Sequence, residues 1–408
     1  MKGLHGCIEN CIGNNFSGWI SQPEQLVDKA KHIEIYIAGE FFDKVDLFEA
    51  LTSRVDIREM PGCRAIDFSF DETLFFSEIS ESNITFRIRS GVYLGSLKVV
   101  PQLLIRSVSS LLTKTGIAAG RISSDETAIV GSGGVLYLKT GTNDLQHLYK
   151  DEAAVDTEAW LRILRARATL LSTLGIKYVQ MITPEKTSVM YWAAPYHATK
   201  ESPGLTSLIE GIIKDEVLKN SFLNPRKFIP DEIHVSGFFR TFDTHMSTVG
   251  AKTVVEALID FVLPSYLNCY SPKNICFGTS DGDLGGRFQE DGVVIETIPL
   301  YCNLTNLSGS YLEPSLISAY DPVGGNQDTR RTWRCGDAPI QLTVLCFGGS
   351  TFERGEVSTT LSWWLSRIFK EFHFVWSPRM DIDLIREIKP DLVICQTVER
   401  FLTITPSM

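Results

Sequence analysis

The hydrophobic period of this chain changes near residue 115, and the change decides what each half can fold into. Before it, apolar residues alternate. Ile33, Ile35 and Ile37 face one way, with Glu34 and Tyr36 facing the other. Ile66, Phe68 and Phe70 repeat the pattern, as do Ile84, Phe86 and Ile88. A period of two belongs to strands with one wet face. Gly, Asn, Ser and Pro clusters separate the runs. Residues 1–115 are therefore expected to form a small all-β domain, an antiparallel sandwich.

After residue 115 the units are those of an α/β protein. Residues 130–138 read as a hairpin around Gly131, Gly133 and Gly134. In residues 158–174, Leu161, Leu164, Ala168 and Leu171 share one helical stripe. Asp156 or Thr157 can cap it, and Gly175 ends it. An apolar strand, 176–182, follows at once. A second helix carries Val254, Val255, Leu258, Ile259 and Val262. Residues 342–347 read as a buried strand. Past Ser350, a helix is expected to show Leu361, Trp364, Leu365, Ile368, Phe369 and Phe372 on one face. Strands at 372–376 and 392–396 flank a short helix at 382–388. The polar, turn-rich stretch 308–339 reads as a long loop. Residues 116–408 are thus expected to form a second, α/β domain.

At 408 residues the chain is long for one core, which agrees with two domains. A net charge of -10 without any basic stripe argues against nucleic acid as a partner. The first residues hold no apolar run of signal-peptide length, and no window has the length and character of a membrane span. Cytoplasmic location is the expectation. Nine cysteines are scattered; Cys7 and Cys11 lie close together but lack the partners of a zinc site, so no metal is expected. Cys276, Cys346 and Cys395 sit in apolar runs and are expected to be buried.

Two short stretches carry chemistry. Asp243-Thr244-His245 precedes the second helix, and Phe347-Gly348-Gly349-Ser350-Thr351 follows a buried strand. A serine hydroxyl needs a base within hydrogen-bond reach, and the base needs a carboxylate to fix its tautomer. The glycine pair lets the backbone turn sharply. The Ser350 amide would then be available to a tetrahedral oxyanion. By spacing alone, Gly-Gly-Ser also suits a plain turn, and Asp243 or Ser247 also suits a helix cap.

The second part of the chain, about 125–402, resembles the SGNH-hydrolase-like domain of the AlgX/AlgJ alginate O-acetyltransferases. Several blocks carry the resemblance in order. Ile129-Val130-Gly131-Ser132-Gly133-Gly134-Val135-Leu136-Tyr137-Leu138 is similar to the opening hairpin, and Trp160 through Lys186 to the helix, strand and Pro-x-Lys block. Asp243-Thr244-His245 with Gly250-Ala251, Gly282-Asp283-Leu284-Gly285, Phe347-Gly348-Gly349-Ser350 and Val398-Glu399-Arg400-Phe401-Leu402 follow. The resemblance implies an SGNH-like (flavodoxin-like) parallel sheet with flanking helices. It implies Ser350 as nucleophile, His245 as base and Asp243 as its carboxylate, with the acid and base preceding the serine as in that family. The reaction implied is acetyl transfer through an acyl-serine to a saccharide or polysaccharide hydroxyl. No bound cofactor is implied; an acyl donor, acetyl-CoA or another acetyl carrier, is required. Polysaccharide-assembly proteins are the implied partners. Gly349 stands where the family has aspartate, and Met246 where it has tryptophan.

Two other readings share this fold: a carbohydrate esterase removing acyl groups, and a glycan-binding assembly protein with a decayed site. Lys186, Arg240, Glu353 and Arg354 are further candidates to touch substrate or position the site, with Gly349 and Thr351 near the oxyanion. Arg240 would position the Asp-Thr-His loop; Glu353 and Arg354 could equally be a surface pair. Glu399 and Arg400 read as a structural ion pair. Trp363, Trp364 and Trp376 could stack sugars, although Trp364 also fits the core stripe. Gly18-Trp19-Ile20 and residues 33–39 resemble small sandwich modules of polysaccharide-assembly proteins, which suggests glycan binding or a scaffold.

Overall fold

The computed structural model describes eight strands within residues 4–99, and then residues 117, 120–131, 134–140, 145–150, 154–196, 198–229, 237–291 and 295–407. The domain boundary expected near 115, Ser132 and Gly133 lie outside the described residues. The first eight strands are β1 (Leu4–Ile12), β2 (Asn15–Ser21), β3 (His32–Ile37), β4 (Glu40–Asp46), β5 (Leu51–Thr52), β6 (Cys63–Ser69), β7 (Ile84–Arg89) and β8 (Tyr93–Val99). They form one sheet in the order β4-β3-β7-β8-β1-β2-β6-β5. Its pairs are antiparallel except β1 with β8, which run parallel. The second sheet of a sandwich is not among the described residues. The alternating runs at Ile33, Ile66 and Ile84 all lie in strands, as their period requires.

The rest is α/β. A hairpin, β9 (Ala128–Val130) and β10 (Leu136–Leu138), leads to the short helix α1 (Leu145–Lys150) and to α2 (Thr157–Thr173). Asp156 caps α2 by accepting from the Ala159 N–H at 2.9 Å. Gly175 follows in the left-handed region at φ +70°. The chain then enters β11 (Lys177–Thr183), α3 (Lys186–Val189), α4 (Pro203–Ile213) and β12 (Phe222–Leu223). Next come α5 (Thr248–Val262), the long strand β13 (Tyr270–Ser280), α6 (Gly282–Gly285) and β14 (Glu296–Asn306), which pairs with β13. The last elements are β15 (Ser315–Tyr320), β16 (Arg330–Arg334), β17 (Ile340–Gly348), α7 (Leu361–Ile368), β18 (Phe369–Trp376), α8 (Ile382–Ile388) and β19 (Leu392–Val398).

Seven strands form the central sheet, in the order β12-β11-β19-β17-β18-β16-β15. The first five are parallel; β16 and β15 extend the sheet antiparallel. Strands β11 and β19 are buried almost throughout, and β17 is buried from Val344 onward, as parallel strands covered on both faces must be. The period of two then splits the core. Val179, Met181, Val344, Cys346 and Ile394 pack with Val254, Leu258, Trp364 and Leu365 of α5 and α7. Tyr178, Ile182, Leu345, Phe347 and Val393 pack with Leu161, Leu164, Leu208 and Ile385 of α2, α4 and α8. The sheet is thus sandwiched between helices, the expected mixed α/β layout.

Three expectations need correction. Residues 308–339 are not one loop: β15 and β16 lie within them. All six residues of β15 are exposed, so this edge strand shows no burial pattern for a sequence to reveal. The apolar face past Ser350 is not all helix; α7 stops at Ile368, and Phe369 and Phe372 belong to β18. Cys276 is exposed on β13, whereas Cys346 and Cys395 are buried. Among the described residues, no helix is long and apolar enough to cross a membrane.

Trp364 anchors the α5–α7 side. It is fully buried, meets Tyr270, Tyr301 and Trp363 at 6.1, 5.7 and 5.1 Å between ring centroids, and donates its indole N–H to the Ser358 carbonyl at 2.8 Å. Trp364→Ala is expected to lower unfolding free energy by about 3–5 kcal/mol, read by denaturant titration.

Candidate active site

Asp243 and His245 lie on a tight loop whose ends pair through Phe239 and Met246. Ser247 caps α5, its hydroxyl accepting from the Gly250 N–H at 3.1 Å. Asp243 is therefore not spent on the cap. Its Oδ1 receives Nδ1 of His245 at 2.6 Å and the His245 backbone N–H at 2.9 Å. A carboxylate there holds the proton on Nδ1 and leaves Nε2 directed away from Asp243, buried, 4.0 Å from Glu353 Oε1. No hydrogen-bond partner meets that Nε2.

Buried charges hold the loop in place. Arg240 Nη1 lies 2.5 Å from Asp243 Oδ2, and its Nε donates to Glu296 Oε1 at 2.9 Å. Glu296 Oε2 accepts the Thr241 N–H at 2.8 Å. From the other side, Lys186 Nζ donates to the carbonyls of Leu136, Thr241 and Asp243 at 2.6, 2.8 and 3.1 Å. Asp283 arrives from α6: it accepts the Thr244 N–H at 2.7 Å and the Thr244 hydroxyl, and its own N–H faces Asp243 Oδ2 at 3.3 Å. Gly282 makes this approach possible. It has φ +68°, and a Cβ there would lie 2.2 Å from the Phe242 carbonyl oxygen.

The charges tune one another. Burial alone would push the His245 ring below its usual value. The hydrogen bond and charge of Asp243, with Asp283 and Glu353, outweigh burial and raise it. Burial likewise works against ionising Asp243, yet His245 and Arg240 hold its carboxyl well below the usual range. Burial pulls Lys186 down to about 8, against the charges of Glu296, Asp243 and Asp283. Burial raises Glu296, with Arg240 opposing.

Ser350 follows β17 at the carboxyl end of the sheet. A turn is closed there by the Phe352 N–H on the Gly349 carbonyl at 3.0 Å. Three residues on, Glu353 sits in the left-handed region at φ +46°, and its Oε1 lies 4.0 Å from His245 Nε2. The structure therefore gathers Asp243, His245, Arg240, Asp283 and Glu353. Ser350 is carried on the same turn as Glu353 but makes no hydrogen bond to His245. Burial raises the Glu353 carboxyl above its ordinary value, with the His245 charge opposing.

Other candidates are placed differently from expectation. Lys186 does not line the cleft; it is buried beneath the loop, with its ammonium given over to three carbonyls. The Gly349 N–H is taken by Gln396 Oε1 at 3.1 Å and is not open to an oxyanion. Thr351 is buried, its carbonyl accepting the Leu361 N–H. Arg354 turns away to Asp321 and Asn326, at 3.3 and 3.1 Å. Glu399 and Arg400 do not pair with each other: Arg400 holds Glu185 at 2.9 Å, while Glu399 accepts the Ser202 N–H at 2.8 Å and the Ser188 hydroxyl.

Sequence reasoning did not pick out Asp283, Glu296 or Gln396 as part of the site. Asp283 was visible only as the acid of a Gly-Asp-Leu-Gly block, and Glu296 only as an acid opening an alternating strand. Asp243, His245 and Asp283 also bring three possible metal-ligand atoms within 4.8 Å of one another. Arg240, against Asp243, already supplies positive charge there and would repel a cation.

No family model matches the chain, and no curated protein matches it. Among solved structures, the chain is similar to PatB1 of Bacillus cereus at 12% identity and a TM-score of 0.44, over 62% of this chain and 92% of that one. It is also similar to the O-acetyltransferase domain of AlgJ from Pseudomonas putida at 15% identity and a TM-score of 0.41, over 69% of this chain and 94% of that one.

Asp283 helps keep His245 protonated. Asp283→Asn removes that charge and should lower the His245 pKa. An NMR titration of the ring should show its midpoint move to lower pH, and Arg240→Met should move it the opposite way.

Proposed function

We propose that the chain is a carbohydrate O-acyltransferase that works through an acyl-serine on Ser350, with His245 as base and Asp243 as its orienting carboxylate. The observation that carries this reading is the Asp243–His245 contact at 2.6 Å, with the unbonded Nε2 facing the turn that holds Ser350 and Glu353. An orienting acid, a tautomer-fixed imidazole and a serine at a sharp strand end are what an activated hydroxyl needs. The ordered sequence blocks resembling the alginate O-acetyltransferases point the same way.

In the first step of this reading, Ser350 Oγ attacks the donor's acyl carbonyl and its proton passes to His245 Nε2. In this reading the Ser350 amide is the donor offered to the oxyanion. Collapse breaks the bond to the donor's alcohol or thiol, which leaves with the proton, and the acyl group stays on Ser350. In the second step a sugar hydroxyl gives its proton to Nε2 and attacks the acyl-serine. Ser350 Oγ is released and regains the proton. The raised His245 pKa makes the ring a stronger base but keeps it protonated to higher pH. Activity should therefore rise with pH through a midpoint above the ordinary histidine value of about 6.5.

The test is release of nitrophenol from an acyl ester, with and without a saccharide acceptor. Ser350→Ala and His245→Ala should each lower the rate about a thousandfold or more. Acylated sugar by mass spectrometry marks transfer. Free acid alone marks an esterase, since water then takes the sugar's place. Equal rates for Ser350→Ala and the native chain sink the serine mechanism.

A further inference from the structure

A cavity of about 250 Å³ opens beside the Gly348–Gly349 backbone, one residue from Ser350. It lies outside the carboxyl ends of β17, β18 and β19, its wall taking in Gly348, Trp376 and Val398 at those ends. The chain leaves β11 toward β12 on one side of the sheet and β17 toward β18 on the other. Diverging connections of this kind leave a crevice at the strand ends, where open α/β sheets take their ligands.

The wall of this cavity is apolar in character. Trp160, Trp376, Val398, Phe401 and Ile404 supply most of it. Of the polar side chains that reach it, Gln396, Thr397 and Trp160 are engaged with the protein, and Gln327 is exposed to solvent. Gln396 uses its oxygen on the Gly349 N–H and its nitrogen on the Thr183 hydroxyl at 2.7 Å. Thr397 accepts from Gln180 at 3.4 Å, and the Trp160 indole N–H is held by the Leu402 carbonyl at 2.7 Å. A sugar ring brought here would lose its water and find few groups to replace it. A hydrocarbon chain would lose nothing comparable and would gain contact with the aromatic wall.

We propose that this cavity binds the tail of a linear acyl group, so that Ser350 handles chains longer than acetyl. The inference rests on the acyltransferase reading for its direction: the cavity wall includes Gly349, the residue before Ser350. Its size sets the length. One water occupies about 30 Å³ of liquid and a methylene is of similar bulk, so the space holds about eight carbon-sized groups. An acetyl group would leave most of it empty. Each methylene buried there favours binding by about fourfold.

Binding and turnover test this separately. Ser350→Ala protein is titrated with sodium octanoate, with acetate and with maltose, followed by tryptophan fluorescence and by calorimetry. Octanoate is expected to bind at least tenfold more tightly than acetate, and maltose not to compete. Ile404 lines the cavity and is exposed, so Ile404→Trp should narrow the opening without entering the core. It should weaken octanoate at least fivefold with an unchanged unfolding temperature. Trp376→Ala serves as a second variant that enlarges the wall and should also weaken octanoate. Equal binding of acetate and octanoate, or maltose binding that excludes octanoate, overturns the proposal. In the native chain, nitrophenyl octanoate should be cleaved faster than nitrophenyl acetate. Acetyl turnover without octanoate binding overturns the cavity assignment and spares the serine mechanism. Octanoate binding without any ester turnover does the reverse.

Discussion

A single ammonium beneath the Asp-Thr-His loop sets the geometry above it. Lys186 points its charge at three backbone carbonyls rather than at a carboxylate. Those carbonyls belong to two different parts of the chain, the hairpin strand β10 and the loop itself. Burying such a charge is costly, and it is tolerated because every proton on it has an acceptor and Glu296 and Asp243 lie near enough to balance it. The same arrangement makes the loop intolerant of partial change. Removing one member leaves an uncompensated buried charge, which is more harmful than removing a surface pair. Rigidity at Asp243 follows, and with it a fixed tautomer at His245.

Much of the fold was legible because its strands and helices have one strong period each. Helix α2, its Asp156 cap, its Gly175 stop and the strand behind it all lay where the apolar spacing put them. The hairpin of β15 and β16 was not legible for a physical reason. An edge strand that buries nothing need not alternate, and Arg331 fills a core position of β16 only because Asp321 neutralises it through both carboxylate oxygens at 2.8 and 2.7 Å. To a pattern reader that arginine looks like surface.

The site divides in the same way. Asp243 and His245 are two residues apart, so their meeting is a local matter and spacing suggests it. Glu296 reaches the loop from 55 residues away, and Lys186 from a similar distance on the other side. No local pattern marks a lone acid or lysine as buried. Gly349 illustrates the opposite error. A glycine beside the serine invites an oxyanion role for its amide, but Gln396 of β19 had already taken it. A Cβ on Gly349 would meet nothing within 4 Å, so packing does not demand glycine there.

The chain's last described residues form part of a wall. Trp160 holds the Leu402 carbonyl, and Arg167 donates to the Ser407 carbonyl at 2.8 Å. Ile404 and Pro406, between these two fastenings, border the cavity beside Gly349. Whatever is joined after Ser407 therefore departs next to that opening. Bulk attached at Ser407 would stand beside the cavity and bear on what can enter it.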